Sequence, residues 1–161
     1  IRRFAFYDVA PNSILDLYIH GAGKIGVLIE LSLTDTQFAQ HEAVKELIHD
    51  LALQIAAGRA QYIVSDEVPA EVIAKEREIY LAQAMNEGKP ANIAERMVEG
   101  RIRKFYEEIC LLHQLFVKDT DLTIAKLLAK VGKEVGCGIS VKTFTRFEIG
   151  EGFEATEGEN E

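Results

Sequence analysis

Gly21, Gly23 and Gly26 in the stretch YIHGAGKIGVLIEL spell G-x-G-x-x-G, the spacing of a loop that holds the pyrophosphate of a dinucleotide cofactor. Such a loop needs a strand before the glycines and a helix after them, because the phosphate sits on the helix N-terminus. The residues that follow Gly26 are Val27, Leu28, Ile29, Glu30 and Leu31, which read as a second strand. An acidic residue about 20 positions beyond the motif would be Glu46 or Asp50, and both fall inside a helical pattern. Dinucleotide binding is therefore not expected, and no cofactor is called for. The sequence reads instead as a hairpin turn in which Gly21 and Gly23 take positive φ and Gly26 allows a bulge or a close backbone approach. His20 then stands at the tip of a strand, with no side chain on Gly21 to shield it.

The remaining reactive side chains offer little. His41 and His49 share one helical pattern but lie too far apart for the i, i+4 spacing of a metal pair, and His113 has no cysteine or carboxylate in ligand spacing. Nucleophile elbow, P-loop and HExxH sequences do not occur, so neither a catalytic residue nor a metal ligand is assigned. Cys110 and Cys137 are the only cysteines, and without C-x-x-C spacing they read as reduced structural thiols. Carboxylates fall on helix faces, where a solvated surface accounts for them.

The balance of 18 Lys and Arg against 26 Asp and Glu gives a net charge of −8 in 161 residues. That charge repels phosphate backbones, so nucleic acid is not expected as a direct partner. Apolar runs fall short of the roughly 18 residues of a membrane-spanning helix. The N-terminal IRRFAFYDV lacks the apolar core of a signal peptide. A cytoplasmic location is expected, or an organellar matrix or stroma if the source is eukaryotic.

The elements that carry these residues can be read from periodicity. Residues 1–33 suggest three antiparallel strands, IRRFAFYDV, ILDLYIH and IGVLIELSL. Phe38, Val44, Leu47, Ile48, Leu51, Ile55 and Ala56 then recur at helical steps from about Thr36 to Ala57, with Gly58 as the stop. Two further helical patterns, from about Pro69 to Asn86 and from about Pro90 to Leu112, are joined by EGKP, a helix end at Gly88 and a helix start at Pro90. Val98, Ile102, Phe105, Ile109 and Leu112 form a narrow seam on the second, the mark of an antiparallel helical hairpin projecting from the body. Gly100 within it suggests a bend or a close helix crossing. A short helix from about Thr123 to Val131 precedes a last strand, ISVKTFTRFEI, whose alternation puts Ile139, Val141, Thr143, Thr145, Phe147 and Ile149 on one face.

The expected fold class is thus α+β, a small antiparallel sheet packed with helices and interrupted by an inserted, projecting helical hairpin. The sheet-and-helix body comprises residues 1–68 and 113–150, the hairpin 69–112, and 151–161 an acidic tail with too little apolar content to pack.

Six strings resemble the elongation factor Ts family: the opening IRR, YIHGAGKIGVLIEL, EVPAEVIAKERE, AMNEGKPANIAERMVEGRIRKFYEEICLL, FVKD and TRFEIGEG. The resemblance covers nearly the whole chain and implies a guanine nucleotide exchange factor that binds the GTPase elongation factor Tu and promotes GDP release without covalent catalysis. It places the chain in the C-terminal half of the family's core, including the coiled-coil dimerisation region, and implies docking to domain 3 of elongation factor Tu with a possible homodimer. Carried over by motif, the partner-contacting residues are His20 and Gly21 in the Y-x-H-G turn and Phe116 and Val117 in the F-V motif. The family's N-terminal helical domain and its Thr-Asp-Phe-Val exchange motif have no counterpart, which implies a fragment of a longer factor. Leu115 stands where the family usually has Pro, and VGCGISVK is longer than usual. A purely structural dimerisation module without exchange activity is the alternative reading.

Overall fold

The computed structural model describes residues 3–151, so the expected acidic tail lies outside the described residues from position 152 onward. In chain order come β1 (Ser13–His20), β2 (Ile25–Leu33), α1 (Glu42–Gly58), α2 (Ala70–Asn86), α3 (Ala91–Ile109), β3 (Leu115–Phe116), β4 (Asp119–Thr123), α4 (Ile124–Val135) and β5 (Ile139–Glu148). The larger sheet is three-stranded and antiparallel in the order β1-β2-β5, and β3 and β4 form a separate short pair. The fold class is α+β, as expected.

Alternation along β2 aims Val27, Ile29, Leu31 and Leu33 at the helices, and all four are buried. Val27, Ile29 and Leu31 meet Leu47, Leu51 and Ile55 on the apolar stripe of α1, with Ile124, Leu127 and Leu128 of α4 completing the core, while Leu33 packs with Val44 and Cys137. Burying each such side chain stabilises the fold by about 1.5–3 kcal/mol relative to exposure. The central strand and α1 therefore set the position of everything else.

Two expectations about the sheet are corrected. IRRFAFYDV is not a strand over its described residues. From Arg3 to Ala10 the chain has no regular structure and crosses the sheet face opposite the helices. The Tyr7 hydroxyl bonds to Thr145 Oγ1 at 2.9 Å and to the carbonyl of Leu28 at 3.2 Å, while Arg3 lies 4.9 Å over the ring of Phe147. The second correction concerns β5. Glu30 pairs with Thr143 but Leu31 pairs with Val141, which leaves Lys142 as the extra residue of a bulge. Alternation restarts with the opposite phase, so Phe144 follows Ile139 and Val141 onto the core face while Thr143, Thr145 and Phe147 face the other way.

Lys142 has a specific partner across the bulge. Glu30 is 1% exposed, and its Oε1 accepts from Lys142 Nζ at 2.9 Å and from the amide of Ala10 at 3.4 Å. Burial alone would raise this carboxyl, but the Lys142 ammonium and the Ala10 amide outweigh it and hold it below the usual carboxylate range. A depressed folded pKa means the stabilisation is complete above the unfolded value of about 4.3 and is lost as pH falls through the folded one. Glu30→Gln is expected to lower stability by about 1.5–3 kcal/mol at pH 7, the range for hydrogen bonds to charged groups. The gap from the unsubstituted chain should close as pH falls toward 2 in urea titrations; a gap independent of pH would rule out the ion pair as its source.

The helices differ from expectation mainly at their ends. Residues 36–57 are not one helix: a short 3-10 turn at Thr36–Gln40 precedes α1, which is capped by Nδ1 of His41 accepting from the amide of Ala43 at 3.2 Å. α3 stops at Ile109 because the loop at 61–62 captures the chain, with the amide of Gln61 donating to the Ile109 carbonyl and that of Leu111 to the Tyr62 carbonyl at 2.8 Å. α4 runs to Val135 rather than Val131. α2 and α3 form an antiparallel hairpin, seamed by buried Ala84, Ala94, Val98 and Ile102. Arg77 grips Glu99 with both terminal nitrogens, and Arg101 reaches Gln83 at 2.7 Å while lying over the ring of Tyr80. Gly100 admits no close crossing, since no atom beyond its chain neighbours and its own helix backbone lies within 4 Å of where its Cβ would be. The cluster of Val68, Ile109 and Cys110, with Tyr62 and Val72 against it, roots the hairpin in the body.

Candidate partner-docking surface

The glycine stretch closes a hairpin between β1 and β2. Gly21, Ala22 and Gly23 all take positive φ, at 63°, 56° and 87°, and the amide of Lys24 donates to the carbonyl of Gly21 at 3.3 Å. Three consecutive left-handed residues are affordable because two of them lack a Cβ. Gly26 pairs with Ile19 in unbroken register, so it makes no bulge, and a strand follows the motif where phosphate binding would need a helix.

His20 is the last residue of β1 and is exposed. Its Nδ1 lies 2.9 Å from the hydroxyl of Tyr18. The ring of Tyr18 is held edge-on against His49 of α1 at 5.3 Å, and Nδ1 of His49 lies 3.2 Å from Oδ2 of Asp16. An exposed histidine thus rests on an ordered support rather than hanging free at a turn.

The second surface is the turn between β3 and β4. Alternation sends Phe116 inward, 6% exposed, and leaves Leu115 and Val117 facing solvent at 55% and 46%. These two side chains rim a groove of about 610 Å³ that also involves Lys104, His113 and Thr123. Lys118 turns back to α1, where Nζ meets Oδ1 of Asp50 at 2.6 Å, and this hydrogen bond raises the Lys118 pKa above its ordinary value.

The four residues singled out by motif therefore form two pairs. His20 and Gly21 lie at one turn and Phe116 and Val117 at another, and no hydrogen bond joins the two among the described residues. Both abut α1 through consecutive residues: His49 meets Tyr18, and Asp50 meets Lys118. Sequence reasoning missed the exposure of Leu115. It also missed Gln54 and Gln114, two buried side chains beneath the second turn. A signal for Gln54 existed, since it is a polar residue at helical spacing from Leu47 and Leu51 on an otherwise apolar stripe.

Both cysteines are free and buried, and burial, with the Glu67 carboxylate adding to it, pushes the Cys110 thiol up to about 11. Among the described residues no group of three or more His, Cys, Asp or Glu is placed to hold a metal ion, and no helix is long and apolar enough to cross a membrane.

A three-stranded sheet backed by two helices, interrupted by a helical hairpin and carrying two supported turns against α1, defines an α+β module with an inserted hairpin. The sequence profile described as Elongation factor TS matches residues 1–151. The chain is 53% identical over 154 residues to elongation factor Ts of Symbiobacterium thermophilum, covering 96% of this chain and 51% of the relative. It is 47% identical over 144 residues to elongation factor Ts of Carboxydothermus hydrogenoformans, with coverages of 89% and 66%. Against elongation factor Ts of Acetivibrio thermocellus the identity is 50% over 150 residues, with coverages of 92% and 69%. The chain belongs to the elongation factor Ts family. It spans about half to two thirds of the length of these relatives.

Proposed function

We propose that this chain is the partner-docking part of a guanine nucleotide exchange factor, and that it binds elongation factor Tu through the His20 turn and the Leu115–Val117 turn. The observation that carries this reading is the pairing of exposed apolar side chains with rigid support. Leu115 and Val117 face solvent on either side of a buried Phe116, the composition of a docking anchor rather than of a solvated loop. An exchange factor acts by differential affinity: it binds the nucleotide-free GTPase more tightly than the GDP-bound form, and so GDP leaves faster. That mechanism needs complementary surfaces and no reacting group on this chain. The work divides along the chain, with 1–68 and 113–150 as the docking body and 69–112 as an inserted hairpin. Such a protein acts in the cytoplasm, beside the ribosome.

Release of fluorescent GDP from elongation factor Tu tests the reading. The chain is expected to form a complex with elongation factor Tu while leaving GDP release within about twofold of its spontaneous rate, because docking alone supplies little coupling free energy. Full acceleration by these residues would sink the division of labour, and absence of a complex would sink the docking role. A second reading, self-association, is favoured by the sheet face opposite the helices, where Leu17 is 64% and Ile19 56% exposed. Sedimentation separates the two: a homodimer that forms no complex with elongation factor Tu favours a purely structural module.

A further inference from the structure

Gln54 is 2% exposed on the apolar face of α1, and Gln114 beside it is 6% exposed. Burying a carboxamide is costly unless its donors and acceptor are satisfied, and both of these are. Gln54 Nε2 donates to the carbonyl of Leu115 at 3.2 Å and to Oε1 of Gln114 at 3.0 Å. Gln54 Oε1 accepts from the amide of Val117 at 2.8 Å. One side chain thereby pairs with the main chain on both sides of Phe116, as an adjacent strand would. Gln114 Nε2 spends its protons differently, donating to the carbonyls of Gly58 at 3.0 Å and Glu108 at 2.7 Å, near the ends of α1 and α3.

We propose that Gln54 is a positioning residue for partner docking: it holds the Leu115–Val117 main chain from within and so fixes the outward aim of two side chains, touching no partner itself. This rests on the docking role of that turn proposed above. The competing explanation is that the glutamine pair serves stability alone. The two glutamines separate these explanations because they hold different things. Gln114 ties helix ends, whereas Gln54 ties the docking turn.

The test compares Gln54→Leu, Gln114→Leu and Val117→Asp in the chain, measuring affinity for elongation factor Tu alongside urea stability. Both leucine variants lose buried hydrogen bonds and are expected to lose comparable stability. Only Gln54→Leu is expected to weaken binding substantially, by about tenfold in Kd, against less than about threefold for Gln114→Leu. Equal losses of affinity in the two, or an unchanged Kd for Gln54→Leu while Val117→Asp binds weakly, overturn the proposal. An unchanged Kd for Val117→Asp overturns the docking reading and the proposal with it. If Gln54→Leu does not fold, hydrogen exchange at the Val117 amide of the unsubstituted chain decides. Exchange slowed at least about tenfold relative to a free peptide is expected of an amide held in this way; exchange at the free-peptide rate overturns the proposal.

Discussion

Phe116→Ala is expected to lower the free energy of unfolding by about 3–5 kcal/mol, the range for deleting a buried aromatic side chain. Phe116 is 6% exposed and belongs to the main core with Leu51, Ile55, Leu111 and Ile124. It sits in a strand of only two residues, so backbone pairing offers little to compensate for the lost ring. The cavity would open between β3 and the helices, where Gln54 and Gln114 already commit their polar groups to fixed partners. Neither can move to fill the space without leaving a buried carbonyl or amide unpaired. Urea denaturation measures the effect, and a loss below about 1 kcal/mol would mean that the ring is not packed as described.

Val117→Asp should act on binding with little effect on folding. At 46% exposed the new carboxylate is solvated in the free chain, so stability should change by less than about 0.5 kcal/mol. On docking the same charge loses its water. Lys118, the next residue in the chain, is already engaged by Asp50 at 2.6 Å and is poorly placed to compensate. An unpaired charge in the centre of a protein interface costs at least about 2 kcal/mol, which is roughly a 30-fold rise in Kd for elongation factor Tu. Titration calorimetry on the variant and the unsubstituted chain gives the ratio, and equal affinities would place Val117 outside the interface.

Helices and the central strand were legible in the sequence because a single dominant force, burial of an apolar face, writes its own period. Leu47, Leu51 and Ile55 repeat at helical steps and Val27, Ile29 and Leu31 at steps of two, and all six are buried. Where a segment is held by something other than its own period, the sequence misled. Residues 3–10 have apolar and aromatic alternation, yet Tyr7 and Arg3 bind the sheet from above through side chains instead of joining its ladder. Gly58 looked like a helix stop. It is the last residue of α1, and its bare backbone leaves room for Gln114, since a Cβ there would lie 2.5 Å from Oε1. The residues proposed to dock were legible only as members of motifs. Periodicity could mark Phe116 as apolar, but which of Leu115, Phe116 and Val117 turns inward depends on a two-residue strand and a glutamine 60 or so positions away.

The bulge at Lys142 also sets a rule for changes in chain length. Deleting this one residue would close the bulge and leave Val141 opposite Leu31 and Thr143 opposite Glu30 as consecutive pairs, so both halves of the strand would keep their partners and their faces. A deletion farther along the strand, at Thr145 for example, would instead move Thr143 and Phe144 to each other's faces or slip the pairing beyond it. A single-codon deletion at position 142 should therefore lose the Lys142–Glu30 ion pair and little of the sheet, whereas one elsewhere in the interior of β5 should be far more damaging.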